Sequence, residues 1–433
     1  MSLRTNSFLP LLAAALLLLV SPSSSGAERV NRFKSFTRLV LLPHSGAKCL
    51  DGSPPAYYFR PGTGAGRRKW HVHLPTGGWC FSPGECIARA NSSLGSSRFW
   101  ARRLPAAVEN GERVINPAEA YPELGGLLSQ DSITNPAFHS WNLVWLVYCD
   151  GGAYSSMRGR ADLGNGATVY MQGRQILEDI IYDLRTNRGM GAASHVLFSG
   201  SSAGAHAVLL NCDRLAASFP RASTKCLADS GFFVDAKDRF GPVLMAGERS
   251  DCHRSAPHQR PQMPFRSASE GQLGALVRDN WVCFFPEHTL PQVSTPLFLF
   301  HSLFDWRFLL YEQQLPDSDL DHSSKCLNDQ ILATDASVVA RKRMWDKVRW
   351  RQNLCSRREV DAVFSVASAL FSRLADAARS KRNLGVFLAP RSVHTTLFNV
   401  AWFLRVTQGV KLSSAFSRWY SNSSRVNGFF VHD

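Results

Sequence analysis

Residues 195–219 read HVLFSGSSAGAHAVLLNCDRLAASF and pass from a short apolar strand, through a turn, into a segment with helical spacing of its leucines. The turn, residues 200–204, has the sequence Gly-x-Ser-x-Gly. At a strand-to-helix junction this sequence is typical of a nucleophile elbow, in which glycines permit a strained turn and the central serine projects from the sheet. The pattern predicts that Ser202 is a nucleophile, with an ordinary glycine-rich loop as the alternative. We interpret Ser199 and Ser201 as turn hydroxyls that bond nearby backbone.

Apolar runs with the length of buried strands recur along the chain, and segments with helical spacing, such as residues 168–187 and 203–219, lie between several of them. Strands that alternate with helices predict a mainly parallel sheet covered by helices on both faces. We therefore expect an α/β fold of the α/β-hydrolase type, with residues 27–433 forming one domain with loop insertions. The runs that we interpret as strands are TRLVLLP, KWHVHLP, NLVWLVYC, HVLFSG, TPLFLFH and LGVFLAP.

The N-terminal residues carry the features of a secretory signal peptide. Arg4 precedes an apolar run from Phe8 to Val20, and small residues suited to cleavage follow at 25–27. The apolar run is too short to span a bilayer comfortably, so we interpret residues 1–26 as a signal peptide and an uncleaved anchor as the alternative. Later apolar runs are shorter than the ~18 residues that a spanning helix needs, which predicts a secreted chain without stable membrane insertion.

Ten cysteines follow this N-terminal segment. An even number behind a signal peptide predicts disulfides, and the absence of a Cys-x-x-Cys pair argues against a zinc site. Asn91 and Asn422, each followed by Ser-Ser, are candidate glycosylation sites. Spacing alone does not fix the connectivity of the disulfides, and the best candidates are the close pairs Cys80 with Cys86, Cys212 with Cys226, and Cys326 with Cys355.

The formal net charge is +15 at pH 7, and a secreted protein with this charge is attracted to polyanions. The densest basic run, RKRMWDKVRWRQ at residues 341–352, alternates cations with apolar residues at helical spacing. For this run we favour the solvated face of an amphipathic helix over a dedicated polyanion site. No nucleic-acid-binding motif accompanies it, so we expect an acidic polysaccharide as the partner rather than nucleic acid.

A serine nucleophile needs a histidine base and an acid that orients the histidine. In α/β-hydrolases the acid and then the histidine follow the serine along the chain, each after a strand. Asp305 follows the strand TPLFLFH, and His394 follows the strand LGVFLAP. The other histidines after Asp305 are His322, in a polar acidic segment, and His432, beside the last residue. The order predicts a triad of Ser202, Asp305 and His394, with a turn cap and a buried loop histidine as the respective alternatives.

An ester hydrolase also needs backbone N–H groups that stabilise the oxyanion of the tetrahedral intermediate. One such group normally belongs to the residue after the nucleophile, here Ala203, and another to an earlier glycine-rich loop. Gly77, Gly78 and Trp79 follow the strand KWHVHLP, and glycine lets the backbone approach a substrate carbonyl closely. We predict an oxyanion hole at Gly78, Trp79 and Ala203, with a plain turn after the strand as the alternative.

Motifs in one order along the chain resemble the pectin acetylesterase family, which includes the Notum carboxylesterases. The resemblance implies an α/β-hydrolase fold and a secreted carboxylesterase that uses no metal or organic cofactor. It also places the triad at Ser202, Asp305 and His394. The motifs are CLDGSPPAYYF from Cys49, GGWCFSPGEC from Gly77, VYCDGG from Val147, SGSSAGAHAVLLNCD from Ser199, KCLADSGFFVDAKD from Lys225 and CFFPEHTLPQVSTPLF from Cys283.

The chain departs from the family beside the predicted histidine. Plant members have cysteines on both sides of it, whereas this chain has Val393 and Thr395. The plant members also often have cysteine before the nucleophile, where this chain has Ser201. The segments 247–272 and 312–356 are polar and match the family poorly, and we expect them to shape the substrate site.

The expected reaction is hydrolysis of O-acetyl esters on an acidic polysaccharide such as pectin, through an acyl-enzyme and by a monomer. One alternative is a Notum-like deacylase that removes a longer acyl chain from a protein or lipid. The other is an inactive secreted protein that binds polyanions, which the intact set of serine, acid and histidine argues against.

Overall fold

An eleven-stranded sheet organises the part of the chain that the structure describes. Most neighbouring strands of this sheet are parallel, and antiparallel pairs complete it on one side. The computed structural model describes residues 37–80, 82–102, 107–109, 112–115, 125–157, 159–163, 166–234, 285–305, 357–389, 393–398, 402, 406–407, 409–422 and 429–430.

The secondary structure follows the alternation of strand and helix that the sequence predicts. The helices are α1 Pro83–Ala90, α2 Ser97–Arg102, α3 Gly173–Thr186, α4 Ala203–Ala217, α5 Pro286–Thr289, α6 Arg357–Ser380 and α7 Leu412–Asn422. The strands are β1 Thr37–Leu41, β2 Ala56–Arg60, β3 Lys69–Leu74, β4 Ala107–Glu109, β5 Glu112–Ile115, β6 Asn142–Leu146, β7 Gly159–Asp162, β8 Thr168–Met171, β9 His195–Ser201, β10 Ser223–Asp229, β11 Leu297–Ser302, β12 Leu384–Ala389, β13 Val406–Thr407, β14 Val410–Lys411 and β15 Phe429–Phe430. The strand order of the large sheet is β15-β12-β11-β10-β9-β3-β6-β2-β1-β5-β4, parallel from β15 to β6 and antiparallel from β6 to β4.

Helices cover both faces of the sheet. Successive side chains of a strand point to opposite faces, and along β9 they enter two different parts of the core. Val196 and Phe198 belong to a large apolar cluster that includes the buried sides of α3 and α4. Leu197 belongs to a second cluster, with Phe416 and Trp419 of α7. The prediction of a mainly parallel sheet between two layers of helices is therefore confirmed.

Several strands, among them β2, β4 and β5, were not among the six runs read from the sequence, and β8 and β10 show why such strands are missed. Residues 168–171, which we assigned to a helical segment, form β8, and the helix α3 begins only at Gly173. Burial alternates along β8, with Val169 and Met171 inside, which is the period of a strand. The strand β10 was not recognised, because its first residues are polar and only its second half is buried.

Disulfides join three pairs of segments in the described part of the chain. The structure bridges Cys80 to Cys86 and Cys212 to Cys226, the second bridge linking α4 to β10. A third bridge, between Cys49 and Cys149, was not anticipated, because its partners are 100 residues apart in sequence. It joins the loop before β2 to the end of β6, where Leu50 N–H also donates to Cys149 C=O at 2.9 Å. Cys326 and Cys355 lie outside the described residues.

Other sequence predictions concern the surface. Asn91 is exposed at the C-terminal end of α1, and Asn422 is the last residue of α7. Other predictions fall on residues outside the described part of the chain. They are the predicted signal peptide 1–26, the basic run 341–352 and the poorly matched segments 247–272 and 312–356. Within the described part of the chain, every helix is too short or too polar to cross a bilayer.

Candidate active site

Ser202 lies in a strained turn between β9 and α4, with φ 55° and ψ −121°. A residue other than glycine rarely adopts positive φ, and such strain is concentrated at functional sites. Both glycines of the motif are needed for this turn. A Cβ on Gly200 would lie 2.2 Å from Gly204 C=O, and a Cβ on Gly204 would lie 1.9 Å from Leu74 C=O at the end of β3. The two glycines therefore let the turn pack closely against the end of β3, the strand that leads to the predicted oxyanion loop.

The peptide of Ser202 is held in place on both sides. Its N–H donates to Asp229 C=O at 2.8 Å, and its C=O accepts from His206 N–H at 2.9 Å in the first turn of α4. Ala203 is the first residue of that helix, so its N–H is among the helix N-terminal amides that lack an intrahelical acceptor. The positive end of the helix dipole stabilises negative charge at this position.

Asp305 and His394 are in direct contact at the carboxyl ends of neighbouring strands. Asp305 follows β11 and is 1% exposed, and His394 follows β12, which pairs parallel with β11. His394 Nδ1 lies 2.9 Å from Asp305 Oδ1 and 2.8 Å from Oδ2. A carboxylate at Nδ1 holds the proton on that nitrogen and leaves Nε2 to act as the base. Ser202 follows β9 at the same edge of the sheet, where β10 lies between β9 and β11.

Three consecutive carbonyls of the predicted oxyanion loop are held by side chains from elsewhere. Arg89 of α1 donates through its two terminal nitrogens, to Gly77 C=O and, at 3.0 Å, to Trp79 C=O. Tyr148, which follows β6, donates its hydroxyl to Gly78 C=O. Burial raises the pKa of Tyr148, which keeps its hydroxyl protonated and able to donate. The loop thus has a fixed orientation, with Gly78 at φ +61°.

A second loop, residues 149–156, pairs with the predicted oxyanion loop. Trp79 forms an isolated antiparallel bridge with Gly152, and Cys80 N–H donates to Gly151 C=O at 3.1 Å. Asp150 organises this second loop, because its Oδ2 accepts from the N–H of Gly152 at 3.1 Å and of Tyr154 at 2.9 Å. Burial raises the pKa of Asp150 to about 6, against the opposing effect of these N–H donors.

Ser199 and Ser201 have partners other than those we predicted. Ser199 lies within β9, and its hydroxyl is 2.6 Å from His71 Nε2 and 2.8 Å from His73 Nδ1 on the neighbouring strand β3. Ser201 donates to Asp229 Oδ2 at 3.4 Å. The interpretation as turn hydroxyls bonding nearby backbone was therefore wrong, because the strand continues to Ser201 and turns both side chains toward partners on neighbouring strands. Burial lowers the pKa of His71, and it lowers that of His73 to about 3, so both partners of Ser199 are consistent with a structural cluster.

Residues that the sequence reasoning missed are Arg89, Tyr148 and Asp229. Each lies inside or beside a motif quoted above, yet none carries a signal of its own in the sequence. The partners of Tyr148 and Asp229 are distant along the chain, and Arg89 binds backbone carbonyls, which leave no mark in the sequence. Among the described residues no group of three or more His, Cys, Asp or Glu side chains is arranged to hold a metal ion.

The sheet, its covering helices and the strained serine turn define a protein of the α/β-hydrolase class. The fold is similar to the structure of the Wnt deacylase Notum from Drosophila, with a TM-score of 0.61, 22% identity and coverage of 91% of this chain and 95% of that chain. At this identity the likeness concerns the fold alone. Residues 30–429 match the family model for pectinacetylesterase, and the chain belongs to this family.

Two curated relatives represent the two branches of the resemblance. The chain is 28% identical over 419 residues to Pectin acetylesterase 5 of Arabidopsis thaliana, which covers 94% of this chain and 86% of that protein. It is 29% identical over 280 residues to human palmitoleoyl-protein carboxylesterase NOTUM, and this match covers 62% of this chain and 51% of that protein. The family and these relatives confirm a carboxylic ester hydrolase.

Proposed function

We propose that the chain is a secreted serine esterase that hydrolyses O-acetyl esters on an acidic polysaccharide, with Ser202, Asp305 and His394 as its triad. The observation that carries the proposal is the contact of His394 Nδ1 with both oxygens of the buried Asp305, at the sheet edge where the strained Ser202 lies. The alternatives for Asp305 and His394, a turn cap and a buried loop histidine, do not account for this contact.

The mechanism follows from these positions. His394 Nε2 takes the proton from Ser202 while the serine oxygen attacks the ester carbonyl, and Asp305 stabilises the imidazolium that forms. The N–H groups of Gly78, Trp79 and Ala203 receive the developing oxyanion. His394 returns the proton to the departing sugar hydroxyl, which leaves an acetyl ester on Ser202. Water, deprotonated by His394, then releases acetate and regenerates the serine.

The substrate proposal has separate support. The pectin acetylesterase relative matches nearly the whole chain, whereas the NOTUM relative matches a smaller part of it. The net charge of +15 suits an acidic polymer. The leader-like residues 1–26 and the disulfides support secretion, since such bridges persist in oxidising compartments.

The first test separates an esterase from a silent binding protein. The mature chain should react with a fluorophosphonate probe, and Ser202→Ala should abolish labelling and lower kcat by roughly 10⁴-fold or more. Ser201→Ala is the matched control, since it removes a neighbouring hydroxyl outside the proposed triad, and it should retain most of the activity. Equal activity of Ser202→Ala and the parent would refute the assignment of the nucleophile, and an unreactive parent would favour the polyanion-binding alternative.

The second test separates acetyl transfer from deacylation of long chains. On one leaving group, acetyl esters should have a higher kcat/KM than octanoyl esters. A pocket that accepted the longer chain would gain roughly 0.8 kcal/mol for each added CH₂, enough to reverse the preference by orders of magnitude. A reproducible preference for eight-carbon or longer chains would overturn the polysaccharide proposal in favour of a Notum-like deacylase.

A further inference from the structure

Asp229 is a buried carboxylate that the proposed mechanism does not use. It ends β10, the strand that lies between the strand of Ser202 and the strand of Asp305, and it is 0% exposed. A carboxylate without solvent is destabilised unless hydrogen bonds replace the lost water. Burial accordingly raises the pKa of Asp229, and donated hydrogen bonds act in the opposite direction.

The donors to this carboxylate belong to the loop of the predicted base. Asp229 Oδ2 accepts from the N–H of Thr396 at 2.6 Å and of Leu397 at 2.9 Å, two and three residues after His394. Ser230 Oγ donates to Asp229 Oδ1 at 3.0 Å and accepts from Thr395 N–H at 3.1 Å. Three consecutive N–H groups after the histidine are thus bound by Asp229 and its neighbour.

The loop needs such support because its backbone is strained. Thr395 has φ 62° and Ser230 has φ 58°. Both residues, which are joined by a hydrogen bond, therefore adopt the left-handed backbone conformation that is unfavourable for residues other than glycine. Conformations of this kind persist only when the surroundings over-determine them. Here the hydrogen bonds to Asp229 and Ser230 hold the loop in its strained conformation.

The backbone of Asp229 has a second partner in the site. Its C=O accepts the N–H of Ser202 at 2.8 Å, while its carboxylate binds the segment after His394. One residue therefore contacts both the strained turn of the nucleophile and the loop of the base. The hydrogen bonds of this link join donor and acceptor atoms 2.6 to 2.9 Å apart, and they are buried, so water does not compete with them.

We infer that Asp229, together with Ser230, is a positioning pair that fixes His394 relative to Ser202. The inference rests on the proposed triad. It assigns no chemistry to Asp229 itself, because its carboxylate is engaged by backbone and hydroxyl donors, while Asp305 takes the imidazole. A shift of the base by about 1 Å can lower the rate by roughly 10²-fold, which sets the expected size of the effect.

The test is a double-mutant cycle of Asp229→Asn with His394→Ala, assayed with p-nitrophenyl acetate. Asparagine keeps the size of the side chain but loses one of two acceptor oxygens. In the parent, Asp229→Asn should lower kcat by about 10- to 100-fold with little change in KM. In the His394→Ala background it should change the residual kcat/KM by less than about threefold, because residues that act as a unit are not additive. The melting temperature should fall similarly in both backgrounds.

Ser230→Ala provides a milder variant should Asp229→Asn fail to fold, with Ser201→Ala as its matched control. Both hydroxyls donate to the carboxylate of Asp229, but only that of Ser230 also accepts from the histidine loop. Ser230→Ala should lower kcat by about 5- to 20-fold, and Ser201→Ala by less than about twofold.

The outcomes are distinguishable from those of the proposed function. Equal losses of kcat/KM in the two histidine backgrounds, or equal effects of Ser230→Ala and Ser201→Ala, would overturn the positioning role even if the parent enzyme is active. A parent that fails to react with the fluorophosphonate probe would instead overturn the proposed triad. An active parent with a loss confined to the background that retains His394 supports the inference.

Discussion

Arg89 binds two carbonyls of the predicted oxyanion loop, and its replacement gives a prediction that can be worked out from geometry. In a trans peptide, the C=O of one residue and the N–H of the next point in opposite directions. The described residues contain no cis peptide bond. Because Arg89 binds Gly77 C=O, it makes the N–H of Gly78 point in the opposite direction, away from Arg89. Tyr148 does the same for the N–H of Trp79 by binding Gly78 C=O.

The expected effect of Arg89→Met is a loss in kcat. Methionine keeps much of the length of the side chain but donates no hydrogen bond, so the peptide between Gly77 and Gly78 is free to turn. Removal of a single oxyanion donor lowers kcat by roughly 10²- to 10³-fold, and a donor that is misdirected only part of the time should lower it by about 10- to 100-fold. The KM should change little, because the oxyanion exists only in the transition state and the intermediate.

The variant Arg89→Lys separates the effect of the positive charge from that of the two hydrogen bonds that the guanidinium donates. A lysine carries the same charge but a single ammonium group, so it cannot match the fork that binds Gly77 C=O and Trp79 C=O together. Its kcat should lie between those of the parent and Arg89→Met. If charge alone mattered, lysine would restore full activity, which makes this variant a test of the fork geometry.

The assay is steady-state hydrolysis of p-nitrophenyl acetate, with thermal unfolding to establish that each variant folds. Arg379→Met is the control, since Arg379 on α6 forms an exposed ion pair with Asp376, and such pairs contribute little. A folded Arg89→Met with kcat within about twofold of the parent would refute the argument from peptide orientation. A raised KM with unchanged kcat would show that Arg89 binds substrate instead.

Three further changes have expected outcomes. Gly204→Ala should lower the melting temperature and fluorophosphonate labelling, because its Cβ would lie 1.9 Å from Leu74 C=O, whereas Gly84→Ala, with open space around it, should do neither. Relative to the parent, Asp150→Asn should become more stable as pH rises from about 4 to 7, by up to roughly 3 kcal/mol. The reason is that between about pH 4 and 6 the carboxyl ionises in the unfolded chain, whereas its raised pKa of about 6 keeps it protonated in the folded parent, which therefore loses stability over this range. A difference that does not vary with pH would contradict this reasoning. Replacing Cys212 and Cys226 together by alanine should lower the free energy of unfolding by about 3 kcal/mol without changing kcat, and a large loss of kcat in the folded variant would contradict a purely structural bridge.

The elbow could be predicted from sequence because all of its determinants are local. The apolar strand, both glycines and the helix lie within residues 195–219, and each glycine has a steric reason to be there. Asp305 and His394 required one more rule, that the acid and then the histidine follow the serine after successive strands. The structure places them in contact, as that order predicts.

Two of the strands that were missed, β8 and β10, have weak or misleading local signals. The strand β8 has only four residues, and its apolar positions run directly into the amphipathic pattern of α3. The strand β10 begins with Ser223, Thr224 and Lys225, so no continuous apolar run marks its start. The bridge from Cys49 to Cys149 depends on which strands end side by side, and the spacing of cysteines carries no information about that.

The residues that hold the candidate site together were hidden for the same physical reason. Asp229 binds amides 167 and 168 positions away, and Tyr148 binds a carbonyl 70 positions away. Both contacts follow from the spatial order of the strands, in which β10 lies between β9 and β11, and β6 lies beside β3. A residue that attacks, accepts or donates a proton is limited by its chemistry to a few types and can be sought in the sequence. A residue that orients a loop only needs to reach a backbone group, so the arrangement of the strands decides which one serves.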